Sequence, residues 1–279
     1  MNTNIYRVNA FAQGLTSGNP AYVIQLTNHI QQNEMQEISK ELGLPITAFI
    51  LEQGNDIYNL RWFTPSKEIS LFGHGTLASA HIMWEEKDVD VRYPITFMTK
   101  SGPLQVKRVE KGIQIAFPTD EPTPVNITST LQQLINVPII KAAKNSDRYI
   151  IEVADEKLLK EIKPNLSLLA TLPVTGLVVT STSENYDFVS RYFAPKIGIK
   201  EDYVTGSAHC GLAPYWSRKL NKKQLYAFQA SPRGGELYID YEDDITYITG
   251  QAHTIYKGVF NNKIKNDVNK SVVGNSEIN

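Results

Sequence analysis

An α+β protein is predicted from this sequence: two similar domains, each a curved, mostly antiparallel sheet wrapped around a central helix, with a cleft between them. Three observations predict it. The chain is written twice. "RWFTPSKEISLFGHGTLASAHIMWEEK" from Arg61 is answered by "RYFAPKIGIKEDYVTGSAHCGLAPYWSRK" from Arg191, an offset of about 130 residues. Flanking blocks repeat in the same order, "TAFILEQGNDIYNL" with "TGLVVTSTSENYDFVS" and "ITFMTKSGPLQVKRV" with "LYAFQASPRGGELYIDY". Repeats this long point to duplication, since solenoid units are shorter. Second, short strand-like runs separated by turn residues dominate the chain. Third, one segment in each half is apolar on almost every side, as a helix buried on most faces must be.

The elements justify themselves in order. "GNP", Gly18 to Pro20, reads as a turn into the strand "AYVIQL". "MQEISKELGL" places Met35, Ile38, Leu42 and Leu44 at helical spacing. "TAFILEQ" and "IYNLRWF" flank a Gly-Asn-Asp turn and form a hairpin. Gly75 to Glu86 carries Leu77, Ala78, Ala80, Ile82, Met83 and Trp84 and makes the buried helix. "ITFMTKSG", "LQVKRVE" and "GIQIAFP" follow as strands, with turns at Ser101-Gly102 and Lys111-Gly112. The Pro- and Thr-rich "FPTDEPTPVN" sets the domain boundary, giving 1–118 and 119–262. The polar residues 263–279 are expected to be a disordered tail.

Bulk properties exclude several functions. With 28 basic against 29 acidic residues, the chain lacks the positive excess of a nucleic-acid binder. No apolar run approaches the roughly 20 residues that span a bilayer, so no membrane partner is expected. The N-terminal residues show no secretory signal pattern. The single cysteine, Cys210, fits a reducing, cytoplasmic compartment. Adjacent His209 and Cys210 are too sparse a pattern for zinc, so no metal is expected.

The two Gly-containing turns carry the candidate chemistry. "FGHG" and "VTGSAH" each lead into a buried helix. The first amides of a helix lack internal partners and sit at the positive end of its dipole. Gly73, Gly75, Gly206 and Ser207 are thus candidate anion donors. Thr205 and Ser207 are also good N-cap types, which is the plain structural reading. One such turn alone is ordinarily just a turn; a matched pair facing one cleft suits a carboxylate-bearing ligand. His74 titrates near neutrality and is the candidate acid or base. Asp202 could steer it or hold a proton.

"VNAF…SGNPAYV", "FTPSKEISLFGHGTLASA", "EDYVTGSAHCGLAPYW" and "QASPRGGEL" resemble the phenazine-biosynthesis (PhzF-like) family, whose fold is shared with diaminopimelate epimerase. The resemblance spans about Asn9 to Val259. It implies a homodimer using no metal and no organic cofactor, isomerising a small anionic metabolite by moving a proton. The related epimerases use two cysteines at the central-helix starts. Here Phe72 and Thr205 stand there, which excludes two-thiol racemisation. The resemblance also implies a Glu base within "ETAF", yet the chain reads "PITAF" and places Ile46 at that position. Glu68 matches the family's "FTPxxE" and does not fill the gap; nothing brings Glu41 or Glu52 to the cleft. "EDY" replaces the family's "EDP" beside Asp202. Three functions follow in order: an isomerase using His74 and Asp202, with Thr205 and the glycine turns binding substrate; a non-catalytic binder or sensor of an anionic metabolite; and a partner-binding protein on an inherited fold.

Overall fold

The strand pairings of this chain follow one series and then follow it again. The structure, a computed structural model, describes residues 2–54, 57–69 and 73–261. The 263–279 tail, Phe72 and the Asn55-Asp56 turn lie outside the described residues. The first half comprises β1 (Asn2–Ala10), β2 (Asn19–Leu26), α1 (Gln32–Leu42), β3 (Ile46–Gly54), β4 (Ile57–Phe63), β5 (Glu68–Ile69), α2 (Gly73–Glu85), β6 (Ile95–Thr99), β7 (Gly102–Val109) and β8 (Gly112–Pro118). The second half opens with β9 (Thr123–Pro124), α3 (Ser129–Gln132), β10 (Lys141–Lys144), β11 (Arg148–Glu152), α4 (Glu156–Lys160) and α5 (Leu166–Thr171). It continues with β12 (Gly176–Ser181), β13 (Phe188–Ala194), β14 (Ile199–Asp202), α6 (His209–Leu220), β15 (Gln224–Gln229), β16 (Gly235–Glu242), β17 (Ile245–Gly250) and β18 (Ala252–Asn261). No helix among the described residues is long and apolar enough to cross a membrane.

The strands form one large, mostly antiparallel sheet. β2 runs parallel to β3; β3–β4 and β4–β5 are antiparallel; β4 runs parallel to β6; β6–β7 and β7–β8 are antiparallel. The same signs recur from β11 to β17, with β12, β13, β14, β15 and β16 taking the corresponding places. The halves are joined where β8 pairs with β17. Two further pairings extend the sheet, the first of them between the halves. β18 pairs along β1, and the two-residue β9 pairs with β10.

Burial explains the composition of α2. His74 through Ala80 and Ile82 through Trp84 are all buried, so only small or apolar side chains fit its surroundings. Ser79 is tolerated because its hydroxyl donates to the Gly75 carbonyl at 2.8 Å. In α6, Trp216 stacks on Phe188 at 5.4 Å, and its indole N–H donates to Thr180 Oγ1 at 3.0 Å. The outer faces are covered by amphipathic elements. Met35 and Ile38 of α1 pack on Ile24, Phe49 and Phe63. α3, α4 and α5 bring Leu131, Leu159 and Leu169 onto Val179, Val189 and Phe193. Each buried side chain of this size contributes roughly 1.5–3 kcal/mol.

The repeated arginine is explained by a repeated ion pair. Arg61 forks onto Glu68 at 2.7 and 2.9 Å, bracing β4 against β5, with Lys100 also on the carboxylate. Arg191 forks onto Glu201 at 2.7 and 2.9 Å, bracing β13 against β14. Its Nη1 donates to the carbonyls of Leu159, Lys160 and Ile162, closing the open end of α4. Arg191→Met should therefore cost about 3 kcal/mol, since it strands a largely buried carboxylate and uncaps α4. Urea unfolding measures this. A loss under about 1 kcal/mol would class the pair with ordinary surface bridges.

Candidate active site

The two helix starts meet. A Cβ placed on Gly73 would lie 3.6 Å from Gly206 Cα and 3.5 Å from the Phe117 ring. One placed on Gly206 would lie 3.3 Å from the Phe11 ring. Glycine at both positions lets the first turns of the helical segments converge without a side chain between them. Beside them is a cavity of about 180 Å³. Gly73, His74, Asp202, Thr205, Gly206 and Ser207, all expected from the sequence, line it together. Gly75 and Ile46 do not. Gly75 lies inside α2 and faces the core, where an added Cβ would meet Trp62 Cδ1 at 2.8 Å and Ile46 Cγ1 at 3.6 Å. Ile46 is the first residue of β3, fully buried and in register with Ala21.

Asp202 is held from both halves of the chain. Asn19 Nδ2 donates to its Oδ1 at 2.7 Å, and Thr205 Oγ1 donates to its Oδ2 at 2.5 Å. Thr205 therefore does not act as the helix cap its type suggests: its hydroxyl is drawn to the nearby carboxylate. Gln229 fixes the backbone around it, donating to Asp202 O at 2.8 Å and accepting from Thr205 N at 2.8 Å. The motif turns hold this frame. Arg233 donates to Gly18 O at 2.8 Å and Ser17 O at 3.1 Å, and Gly18 N donates to Gly234 O at 2.7 Å. Gly18 needs its positive φ of 76° here, and a Cβ would strike Ala10 O at 2.5 Å. Neither Asn19 nor Gln229 stood out as a functional residue in the sequence. Their positions inside "SGNP" and "QASPRGG" are the signal that marks them.

Burial sets the protonation states. It pushes His74 down to about 3, leaving a neutral imidazole at neutral pH. It pushes Asp202 up to about 6, against the hydrogen bonds from Thr205 and Asn19 that favour the carboxylate. His209 is likewise pushed down to about 4; its Nδ1 donates to Thr205 O at 2.9 Å. Cys210 is buried and its thiol is pushed up to about 12, which keeps it inert. The remaining wall combines Ile69, Ile197 and Ile199 with Asp147, Arg148, Thr175 and Tyr192. Arg148 is the charged residue that sequence reasoning missed. Its only mark was a cation opening the apolar strand "RYIIEV".

Comparison with known proteins places this geometry. Residues 8–258 match the PhzC-PhzF family, described as phenazine biosynthesis-like protein. A protein of Halalkalibacterium halodurans named an uncharacterized isomerase is 44% identical, over 92% of this chain and 98% of that relative. Another uncharacterized isomerase, from Pseudomonas aeruginosa, is 39% identical over 92% of this chain and 98% of its own length. The crystal structure of a PhzF family protein from Enterococcus faecalis superposes with a TM-score of 0.90 at 37% identity, covering 94% of this chain and all of that one. The chain belongs to the PhzC-PhzF family of phenazine biosynthesis-like proteins.

Proposed function

We propose that this protein is an isomerase that moves a proton within a small carboxylate-bearing metabolite, using no metal and no organic cofactor. The observation that carries this is the convergence of two helix starts and the buried Asp202 on one small cavity, in a chain similar to proteins named isomerases. Asp202 is the base. A carboxyl near 6 is ionised at pH 7 and still takes and returns a proton readily. The C–H electron pair of the substrate becomes an enolate-like pair, and the proton passes to Asp202. Amides at Gly73, Gly206 and Ser207 stabilise the developing charge. His74, neutral, hydrogen-bonds the intermediate and assists the return of the proton to a second carbon.

The proposal extends to architecture. The repeated pairing series is read as an internal duplication, with units 1–118 and 119–262, the last strand of the second unit, β18, pairing along β1 of the first. α2 and α6 are the central helices. A homodimer in the cytoplasm completes the reading.

A second reading has its own observation. Ile46 stands where the resemblance implies a Glu, and it is sealed in the core. Trp62 Nε1, on the same side of the core, is buried with no hydrogen-bond partner among the described residues. A protein that binds the anion for sensing, without turnover, would look like this.

Deuterium wash-in separates the two. With a panel of small amino-, hydroxy- and unsaturated carboxylates in deuterated water, at least one should take up solvent deuterium. Asp202→Asn should slow uptake about 10²–10⁴-fold. Ligand-induced stabilisation with no uptake across the panel selects the sensor instead. The uptake rate should rise about tenfold per pH unit up to about pH 6 and level off above it, because Asp202 must be ionised to act. A profile flat across that range removes Asp202 as base. Ile46→Glu buries a carboxyl outside the cavity lining and should destabilise the protein by about 2 kcal/mol or more in urea unfolding without raising the uptake rate. A rise in uptake of about tenfold would show instead that a carboxylate at this position reaches the substrate.

A further inference from the structure

Arg148 has no part in the chemistry above, yet it lines the same cavity. It opens β11 beside Gly176 of β12. Tyr192 lies against Gly176, whose added Cβ would fall 2.6 Å from the phenol, and the Arg148 guanidinium stacks over the Tyr192 ring at 5.1 Å. Nε donates to Asp147 Oδ1 at 2.5 Å and Nη2 to Oδ2 at 3.0 Å. The plane of the group is thereby fixed by a fork on one side and a ring beneath.

The third nitrogen is different. Nη1 is buried and has no hydrogen-bond partner among the described residues. Arg191 shows what this kind of arginine looks like when it is purely structural. It too forks onto a carboxylate and stacks on an aromatic ring, Phe193 at 5.0 Å, but its Nη1 meets three carbonyls. A charged donor left unmatched in the interior is costly unless something fills it. Asp147 offsets the charge incompletely from the cavity side. Its side chain is 37% exposed and shares its field with solvent, whereas that of Arg148 is 9% exposed.

We infer that Arg148 anchors the permanent carboxylate of the substrate through Nη1, and that the rest of the molecule is a small apolar body lying along Ile69, Ile197 and Ile199. This deepens the isomerase reading and rests on its view of the cavity as a carboxylate site. The helix starts then hold charge that appears during reaction, while Arg148 holds charge present throughout. The substrate class is an apolar monocarboxylate whose reacting carbon is set apart from its anchored end.

Binding tests this without turnover. Benzoate and benzamide share a shape and differ in charge. At pH 7.5, benzoate should raise the melting temperature of the wild-type protein, and benzamide should not. Arg148→Gln should weaken benzoate binding about tenfold or more, and Arg148→Lys less. If Arg148→Gln fails to fold, a benzoate titration of the wild-type protein followed by ¹⁵N NMR of arginine side chains decides, since a guanidinium signal absent from the Arg148→Lys spectrum should shift. Equal benzoate affinity in wild type and Arg148→Gln overturns the inference, as does equal stabilisation by benzamide or no benzoate binding at all. Deuterium uptake that survives such a result would leave the isomerase reading standing without its anchor. Benzoate anchoring without uptake on any substrate would do the reverse.

Discussion

Two backbones touch where the starts of α2 and the α6 segment converge, and the site depends on that contact. Gly73 and Gly206 present only a hydrogen to each other, and Phe117 and Phe11 close over them. An added methyl would meet ordinary contact distances at Gly73 and a tighter 3.3 Å approach to the Phe11 ring at Gly206, so the second position has the less room of the two.

The same contact explains why Asp202 can be buried at all. An isolated carboxylate in an apolar interior is prohibitively costly. Here Asn19 reaches it from the first half of the chain, and Thr205 and Gln229 order the second half around it. Burial raises the carboxyl to about 6 while the hydrogen bonds from Thr205 and Asn19 hold it down, so it is mostly ionised at neutral pH. Burial leaves His74 uncharged there.

Much of this was legible in the sequence, because repetition is a strong signal. The echo of "RWFTP" in "RYFAP" corresponds to paired Arg–Glu forks, and the two Gly turns do meet. Apolar periodicity found α1 and α2, the first three residues late at its start and both within two residues at the other ends. What stayed hidden was long-range pairing of polar groups. Asn19 and Asp202 are separated by 183 positions, and no local pattern announces that bond. Thr205 is a good cap type, yet its hydroxyl goes to the carboxylate three residues back, which capping preference alone does not reveal. Arg148 drew no notice in the sequence; its unpartnered donor is seen only among the described residues of the fold. Ile46 was legible as a departure, but its sealing behind Trp62 was not.

Two ladders join the halves of the chain. β18 leaves the second half to run the full length of β1, and β8 and β17 are stitched together along six register positions. Backbone ladders resist shear far better than side-chain contacts do. Swinging the halves apart as rigid bodies would break both ladders at once, so the hydrogen-bonded backbone and not the cavity lining sets their relative position.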